Sequence, residues 1–509
     1  MFWTQKIADE IEASHPEGEI VVSSGVSPSG KYHVGTLREV LTADAVAIEL
    51  KKRGREVRHI HFVDDLDFLR KIPSGVDSSF EQYLGKSLCD VPSPDGAAES
   101  YADYYLDDFL PNLDILGVDV EVRWSHKEYR SGFFVPAIEK TLLNLETVKK
   151  CLAEVSGREL NDDWSPIQVL ENGYLKKRKF LGINTDAKIV KYQGVDGSEK
   201  TVNYNEGQVK LDWRMDWPSR WWLLGVQAEP FGRDHATKGG SYDTGKEIAK
   251  NVFEYQAPYP VPYEFINRAG ETKKMSKSSG NTVNISDLLS ILPPEIVRFF
   301  VLRYAPEKML FFDQQDGVVR LIDEYAELLA KPDKNDEDLA LLHICNSTLS
   351  KNTISNVPFS HLVASYQSAL KDYDKTIDII KRTEHAEVAG EQAQVIKDEL
   401  NYIDSWLKNW APENVKFSLR ESVSPEEFSE IEKEFLTNLA SQISDAPEDA
   451  DGQWFHQCIY QFKTDEFGPK QMFQTLYKVI IGKDAGPRAG WFLSILPRDW
   501  LIARLKLDK

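Results

Sequence analysis

Two short stretches, far apart in the chain, carry residues suited to a polyphosphate. The first is Ser27-Pro28-Ser29-Gly30-Lys31-Tyr32-His33-Val34-Gly35-Thr36. Glycines at 30 and 35 let a flat ring or a phosphate approach the backbone closely. His33, on a first helical turn, is a donor for phosphate oxygens as charge moves onto them. The second stretch is Glu271-Thr272-Lys273-Lys274-Met275-Ser276-Lys277-Ser278-Ser279-Gly280-Asn281. Lysines beside small hydroxyls and a glycine suit a loop that offsets triphosphate charge, with Lys277 as the closing charge and Lys274 as a second. Either stretch alone also reads as an ordinary turn or a solvated basic loop. Both together, in this order, point to a nucleotide.

The flanking pattern supplies the elements that hold the first stretch. The β-branched run Ile20–Val22 predicts a buried parallel strand. Apolar residues then recur at helical period, Val34, Leu37, Leu41, Ala45 and Ile48, with Gly54 placed for a left-handed C-cap. A second β-branched run, Val57 to Val63, completes a βαβ unit. The turn therefore sits at a strand's carboxyl end and a helix's amino end, where open α/β sheets bind ligands. It matches neither a P-loop nor a dinucleotide fingerprint.

Further along, Asp64, Asp65 and Asp67 cluster at the carboxyl end of the second strand, a grouping that suits a cationic substrate. His59 and His61 share one strand face by the period of two and read as ordinary strand residues. From about 80 to 209 the periodicity is mixed, with helices over Tyr101–Leu116 and Val135–Val155 and strand-like fragments at Lys188–Tyr192 and Thr201–Tyr204. This interval reads as an insertion in the nucleotide-binding fold. Its basic run Lys176-Lys177-Arg178-Lys179 is either a solvated hairpin face or a contact for an RNA backbone. A Trp-rich segment beginning at Trp213 precedes Gly232-Arg233-Asp234-His235, another loop at a strand's carboxyl edge. Trp213 is placed to cover an aliphatic stem, and Asp216 with His235 to hold polar groups of an amino acid.

The stretches His33-Val34-Gly35-Thr36 and Lys274-Met275-Ser276-Lys277-Ser278 resemble the HIGH and KMSKS motifs of class I aminoacyl-tRNA synthetases. The second matches in full, while Thr36 stands where His or Asn is usual. The resemblance narrows to class I lysyl-tRNA synthetase through Arg38–Asp44, Asp216-Trp217-Pro218 with Arg220, Glu229–Thr244, and Gly486-Pro487-Arg488 with Gly490. It extends over nearly the whole chain and is densest before Tyr304.

That resemblance implies L-lysine, ATP and tRNA(Lys) as substrates, with Mg²⁺ on the phosphates. It implies in-line attack of the lysine carboxylate on the α-phosphorus, then transfer to a tRNA 2′-hydroxyl. Pro28, Gly30, Gly35, Thr36, Met275, Ser276 and Ser278 would bind ATP beside the catalytic His33, Lys274 and Lys277. Gly25, Ser27, Asp64, Asp65, Asp67, Trp213, Asp216 and His235 would hold the amino acid. Lys176, Lys177, Arg178, Lys179 and Arg488 would meet tRNA. Family members often carry cysteine pairs that form zinc knuckles in the insertion; Ser165–Gly173 has none, so no structural zinc is expected.

Composition bounds the remainder. A chain of 509 residues suits about three domains of ordinary size. The expected architecture is α/β: a Rossmann-like parallel-sheet domain over 1–285, a helical connector over 286–335, and an all-α anticodon-binding domain over 336–509. Net charge is −20, which argues against non-specific nucleic-acid binding but not against a partner met by a local basic patch. The four cysteines show no paired spacing and read as thiols of a reducing compartment, with a cytoplasmic location expected. No apolar run approaches a membrane span. Ser424–Glu427 is a capping box expected to open a helix through Phe435 and Ile443, and Arg498 and Arg504 are offered as further RNA contacts. Two other readings stay open: a glutamyl-type class I synthetase, or a nucleotidyltransferase of the same fold, which has no need of a long helical domain.

Overall fold

The computed structural model describes every residue except 158–159, 161–163, 271–282, 351–352, 448–449 and 509. Contacts divide the chain into two compact units. One comprises Met1–Leu289, Val297–Phe312 and Asn335–Ser350; the other comprises Ser290–Ile296, Asp313–Lys334 and Lys351–Lys509. Helix Asp336–Asn346, placed by the sequence pattern at the head of the C-terminal domain, belongs to the first unit.

The first unit is built on a parallel sheet. Strand β1 (Ile20–Val26) is followed by helix α2 (Val34–Lys52), itself preceded by α1 (Trp3–Ser14). Strand β2 (Val57–Val63) lies along β1 in unbroken register, from Ile20 opposite Val57 to Val26 opposite Val63. Burial on both faces explains why β1 opens on three aliphatic residues rather than an alternating pattern. Gly54 adopts φ +85°, the left-handed conformation expected just past α2.

Strand β3 (Glu121–Trp124) pairs with β2, as Ile60 opposite Glu121. The interval 80–209 is therefore not wholly inserted, since β3 is an edge strand of the central sheet. Its half-buried Glu-Val-Arg-Trp gives no apolar run for a pattern to register. Strands β4 (Ile167–Glu171), β5 (Tyr174–Lys177) and β9 (Val209–Leu211) form one small antiparallel sheet. A second contains β6 (Phe180–Asn184), β7 (Ile189–Gln193) and β8 (Glu199–Asn203). The helix expected over Val135–Val155 is two, Val135–Leu143 and Leu145–Ser156, broken at Asn144.

The chain returns to the central sheet with β10 (Val226–Gly232) and β11 (Tyr259–Tyr263). The strand order is β11-β10-β1-β2-β3, with every neighbouring pair parallel. Successive strands run one way from β1 through β2 to β3, while β10 and β11 lie on its other side. The order thus reverses at β1, and such a reversal opens a crevice at the strands' carboxyl ends. Helix α2 starts at that crevice. Its buried Arg38 donates to the carbonyls of Val301, Ala305, Pro306 and Lys308, and Asp44 pairs with buried Arg298 at 2.6 Å. These buried charges hold the helix against the chain that follows the sheet.

The second unit is helical among its described residues, from Asp316–Ala330 to Arg498–Leu505. The Ser424/Glu427 capping box is present, but it closes a 3-10 turn, Pro425–Glu427. Helix Glu430–Ser444 starts on a box of its own, Ser429 with Glu432. Phe435, Leu439 and Ile443 point from that helix into the apolar core.

Candidate active site

At the reversal of strand order, a cavity of about 220 Å³ opens against the amino end of α2. Gly25, Ser27, His33, Gly35 and Thr36, all chosen from sequence, line it, and so do Glu39 and Tyr263, which were not. His33 is the N-cap of α2, and its Nδ1 accepts a hydrogen bond from the Gly35 backbone N–H at 3.0 Å. With Nδ1 so engaged, the proton of the neutral ring sits on Nε2. Gly35 has a steric reason as well: a Cβ there would lie 2.7 Å from His33 Cε1. His-x-Gly is thus one unit, in which the glycine leaves room for the ring and fixes its tautomer. Pro28 and Gly30 are buried in the turn behind.

Glu39 was missed because it reads as a polar residue inside a helix. One carboxylate oxygen accepts the Gly25 N–H at 2.7 Å and the other accepts the Tyr263 hydroxyl at 2.7 Å. No Lys or Arg is among the described lining residues. Burial pushes the Glu39 carboxyl up to about 7, helped by Glu229 and Asp234 and opposed by its two hydrogen-bond donors. A carboxylate held at a cavity wall that has no cation among its described residues is suited to a cationic ligand.

Residues 274–278, and with them Lys274, Met275, Ser276, Lys277 and Ser278, lie outside the described residues. The residues directly after that stretch are placed. The Val34 N–H donates to Val283 O at 3.1 Å, and His33 forms an isolated antiparallel bridge with Asn284.

The three aspartates after β2 do not line the cavity. Asp64 takes Arg220 with both oxygens, one contact at 2.9 Å, and burial pushes its carboxyl up to about 6 against the pull of that guanidinium. Asp67 pairs with buried Lys210 at 3.1 Å; burial alone would raise its carboxyl, but Lys210 outweighs it and holds it below the usual range. Asp65 is fully buried against His126. Asp216, also fully buried, accepts the Tyr129 hydroxyl at 2.5 Å and an N–H of Arg220. Asp64, Asp67 and Asp216 form a network with Arg220 and Lys210, while Asp65 meets His126 instead.

Trp213 and His235 do come together, ring centroids 5.5 Å apart, with Trp217 stacked on Trp213 at 5.8 Å. The indoles of Trp217 and Trp221 both donate to Glu229, whose carboxyl burial pushes up to about 7. His59 and His61 flank the Ser24 hydroxyl at 2.9 and 2.8 Å, and burial drives their rings down to about 3 and about 4. They are neutral core residues, as their strand position suggests.

The basic run is partly consumed. Lys177 pairs with Asp212 at 2.8 Å and Arg178 with Glu171, while Lys176 lies over the Tyr174 ring and Lys179 is exposed. In the second unit, Arg504 is buried on the carbonyls of Arg420 and Glu421, and Arg498 donates to those of Ala446 and Pro447. Both guanidinium groups donate to carbonyls of their own chain. Arg488 lines a cleft of about 830 Å³ with Lys381, Arg382, His456 and Trp491.

An all-parallel sheet whose order reverses beside a histidine-capped helix tip is the architecture of a nucleotide-binding α/β enzyme. The family described as tRNA synthetases class I (K) matches residues 1–346, and the chain belongs to that family. Over 99% of its length it is 35% identical to lysine–tRNA ligase 1 of Methanosarcina acetivorans, covering 98% of that protein. It is 36% identical to a lysine–tRNA ligase of Archaeoglobus fulgidus and 34% identical to one of Pyrococcus horikoshii, covering 99% of each chain in both cases. A solved glutamate tRNA ligase from Elizabethkingia meningosepticum aligns at 11% identity over 96% of this chain and 98% of its own, with a TM-score of 0.40. That superposition is too distant to bear on function.

Proposed function

We propose that this chain activates L-lysine with ATP, forming lysyl-adenylate and pyrophosphate, and passes the lysyl group to tRNA(Lys). The observation that carries this reading is His33 and Glu39 on one cavity wall, at the sheet's ligand edge, with no Lys or Arg among the described residues that line it. Glu39 receives an ammonium of lysine. His33 Nε2–H faces the phosphates and offsets charge as the lysine carboxylate attacks the α-phosphorus and pyrophosphate departs. No covalent enzyme intermediate is needed, so rate enhancement comes from positioning and charge stabilisation.

Mg²⁺ enters with ATP as part of the substrate. By the family's motif, Lys274 and Lys277 supply further positive charge; the bonding of His33 and Val34 to Asn284 and Val283 supports their neighbourhood to the cavity. The tRNA 2′-hydroxyl then attacks the adenylate. The second unit receives the anticodon, with Arg488 and Trp491 suited to stack on or pair with unstacked bases. The names of the relatives support lysine and tRNA together, the family's two motifs support ATP, and a cytoplasmic setting accords with that role.

A glutamyl-type enzyme is disfavoured, because a glutamate side chain would bring a second carboxylate to Glu39 with no described Lys or Arg to meet it. ATP–pyrophosphate exchange over all twenty amino acids, with and without tRNA, tests the reading. Exchange driven by lysine alone is expected, and exchange driven by glutamate would overturn it.

A further inference from the structure

Asp65 differs from its neighbours. Asp64 and Asp67 meet Arg220 and Lys210, but Asp65 is fully buried and, among the described residues, has no Lys or Arg within ion-pair distance. What surrounds it instead are a thiol and an imidazole. One donor atom each of Asp65, Cys89 and His126 lies within 4.8 Å of the others. We propose that Asp65, Cys89 and His126 form a binding site for a borderline divalent metal of the zinc type.

The three residues come from separate segments: the turn just after β2, the 3-10 turn Leu88–Asp90, and the first turn of the short helix after β3. Backbone bonds hold the segments together. The Cys89 N–H donates to Asp65 O at 2.9 Å, and the His126 N–H donates to Asp65 Oδ1 at 2.9 Å. The donors are therefore brought together without help from a metal. The other carboxylate oxygen, Oδ2, contacts His126 Nδ1, so a bound ion replaces one hydrogen bond.

Donor chemistry selects the ion. Sulfur, nitrogen and oxygen together suit Zn²⁺ and exclude the oxygen-only preference of Mg²⁺ or Ca²⁺. A carboxylate and a thiolate balance a dication, and a neutral imidazole adds no charge. The Arg130 guanidinium, 3.8 Å from Cys89 Sγ, is itself held by both oxygens of Asp90 at 2.8 and 3.0 Å. Three protein ligands leave a fourth position for water, as tetrahedral zinc requires. The site is independent of the reading given to the Glu39 cavity. Cysteine spacing misses it because one thiol is matched with donors 24 and 37 positions away (65 to 89, 89 to 126).

The test uses the full chain, stripped with a chelator, exposed to Zn²⁺ and freed of unbound ion, with metal content then measured. About one equivalent is expected for the unmodified chain and for Cys458→Ala, and none for Cys89→Ala or His126→Ala. Co²⁺ in place of Zn²⁺ is expected to give a thiolate charge-transfer band that Cys89→Ala lacks. Where a variant does not fold, the unmodified chain decides: Zn²⁺ must protect Cys89 from iodoacetamide, read by peptide mass spectrometry. Sub-stoichiometric metal in the unmodified chain, full metal retained by folded Cys89→Ala and His126→Ala, or no protection of Cys89 would each overturn the proposal.

Discussion

His33 and Gly35 act as a pair, and each half makes a different prediction. His33→Ala removes the proposed donor to the phosphates, and adenylation is expected to fall roughly 100-fold or more with the circular-dichroism spectrum unchanged. Gly35→Ala keeps the imidazole but forces it from its place, since the new Cβ would stand 2.7 Å from Cε1. A displacement on that scale is expected to cost about 100-fold in turnover while leaving thermal stability close to that of the parent. Equal activity in parent and Gly35→Ala would show that the ring's position is irrelevant. Glu39 adds a pH signature. Burial holds its carboxyl near 7 in the free protein, so the charged form needed by an ammonium becomes dominant only above that pH. The kcat/KM for lysine is therefore expected to climb through about pH 7 and level off above it, and Glu39→Gln is expected to lose that limb.

At the level of elements, the sheet's carboxyl edge is tied together by a buried charge network. Arg220, on helix Trp213–Leu224, reaches Asp64 after β2 and Asp216 on its own helix, and Lys210 on β9 reaches Asp67. Removing one member leaves others buried and unpaired, so Arg220→Met is expected to lower unfolding stability by about 3–5 kcal/mol. Chemical denaturation checks this, and a loss under about 1 kcal/mol would contradict it. The same network explains what was readable before the fold was known. β1, α2 and β2 announce themselves through aliphatic runs, a helical period and Gly54, because burial and backbone conformation constrain residue type locally. The roles of Asp64, Asp65 and Asp67 do not, because their partners Arg220, His126 and Lys210 are brought in by tertiary structure. Glu39 was hidden for the same reason: only the fold sets Gly25 and Tyr263 on either side of it. β3 escaped because a four-residue edge strand needs no apolar run.

For the whole molecule, the proposed function requires an acidic chain to admit an acidic polymer. Local cations must do so, and many of the basic side chains picked out from sequence are already committed, Arg178, Arg498 and Arg504 among them. Arg488 instead lines a cleft of the second unit beside Trp491. Arg488→Ala is expected to raise the KM for tRNA several-fold and to leave lysine-dependent pyrophosphate exchange unchanged. Loss of exchange would place Arg488 in amino-acid activation. The most direct measurement is lysine saturation of ATP–pyrophosphate exchange by the full chain, compared with Glu39→Gln. The account predicts a lysine KM raised roughly 10- to 100-fold with the KM for ATP unaltered; an unchanged lysine KM in a folded Glu39→Gln chain would contradict it.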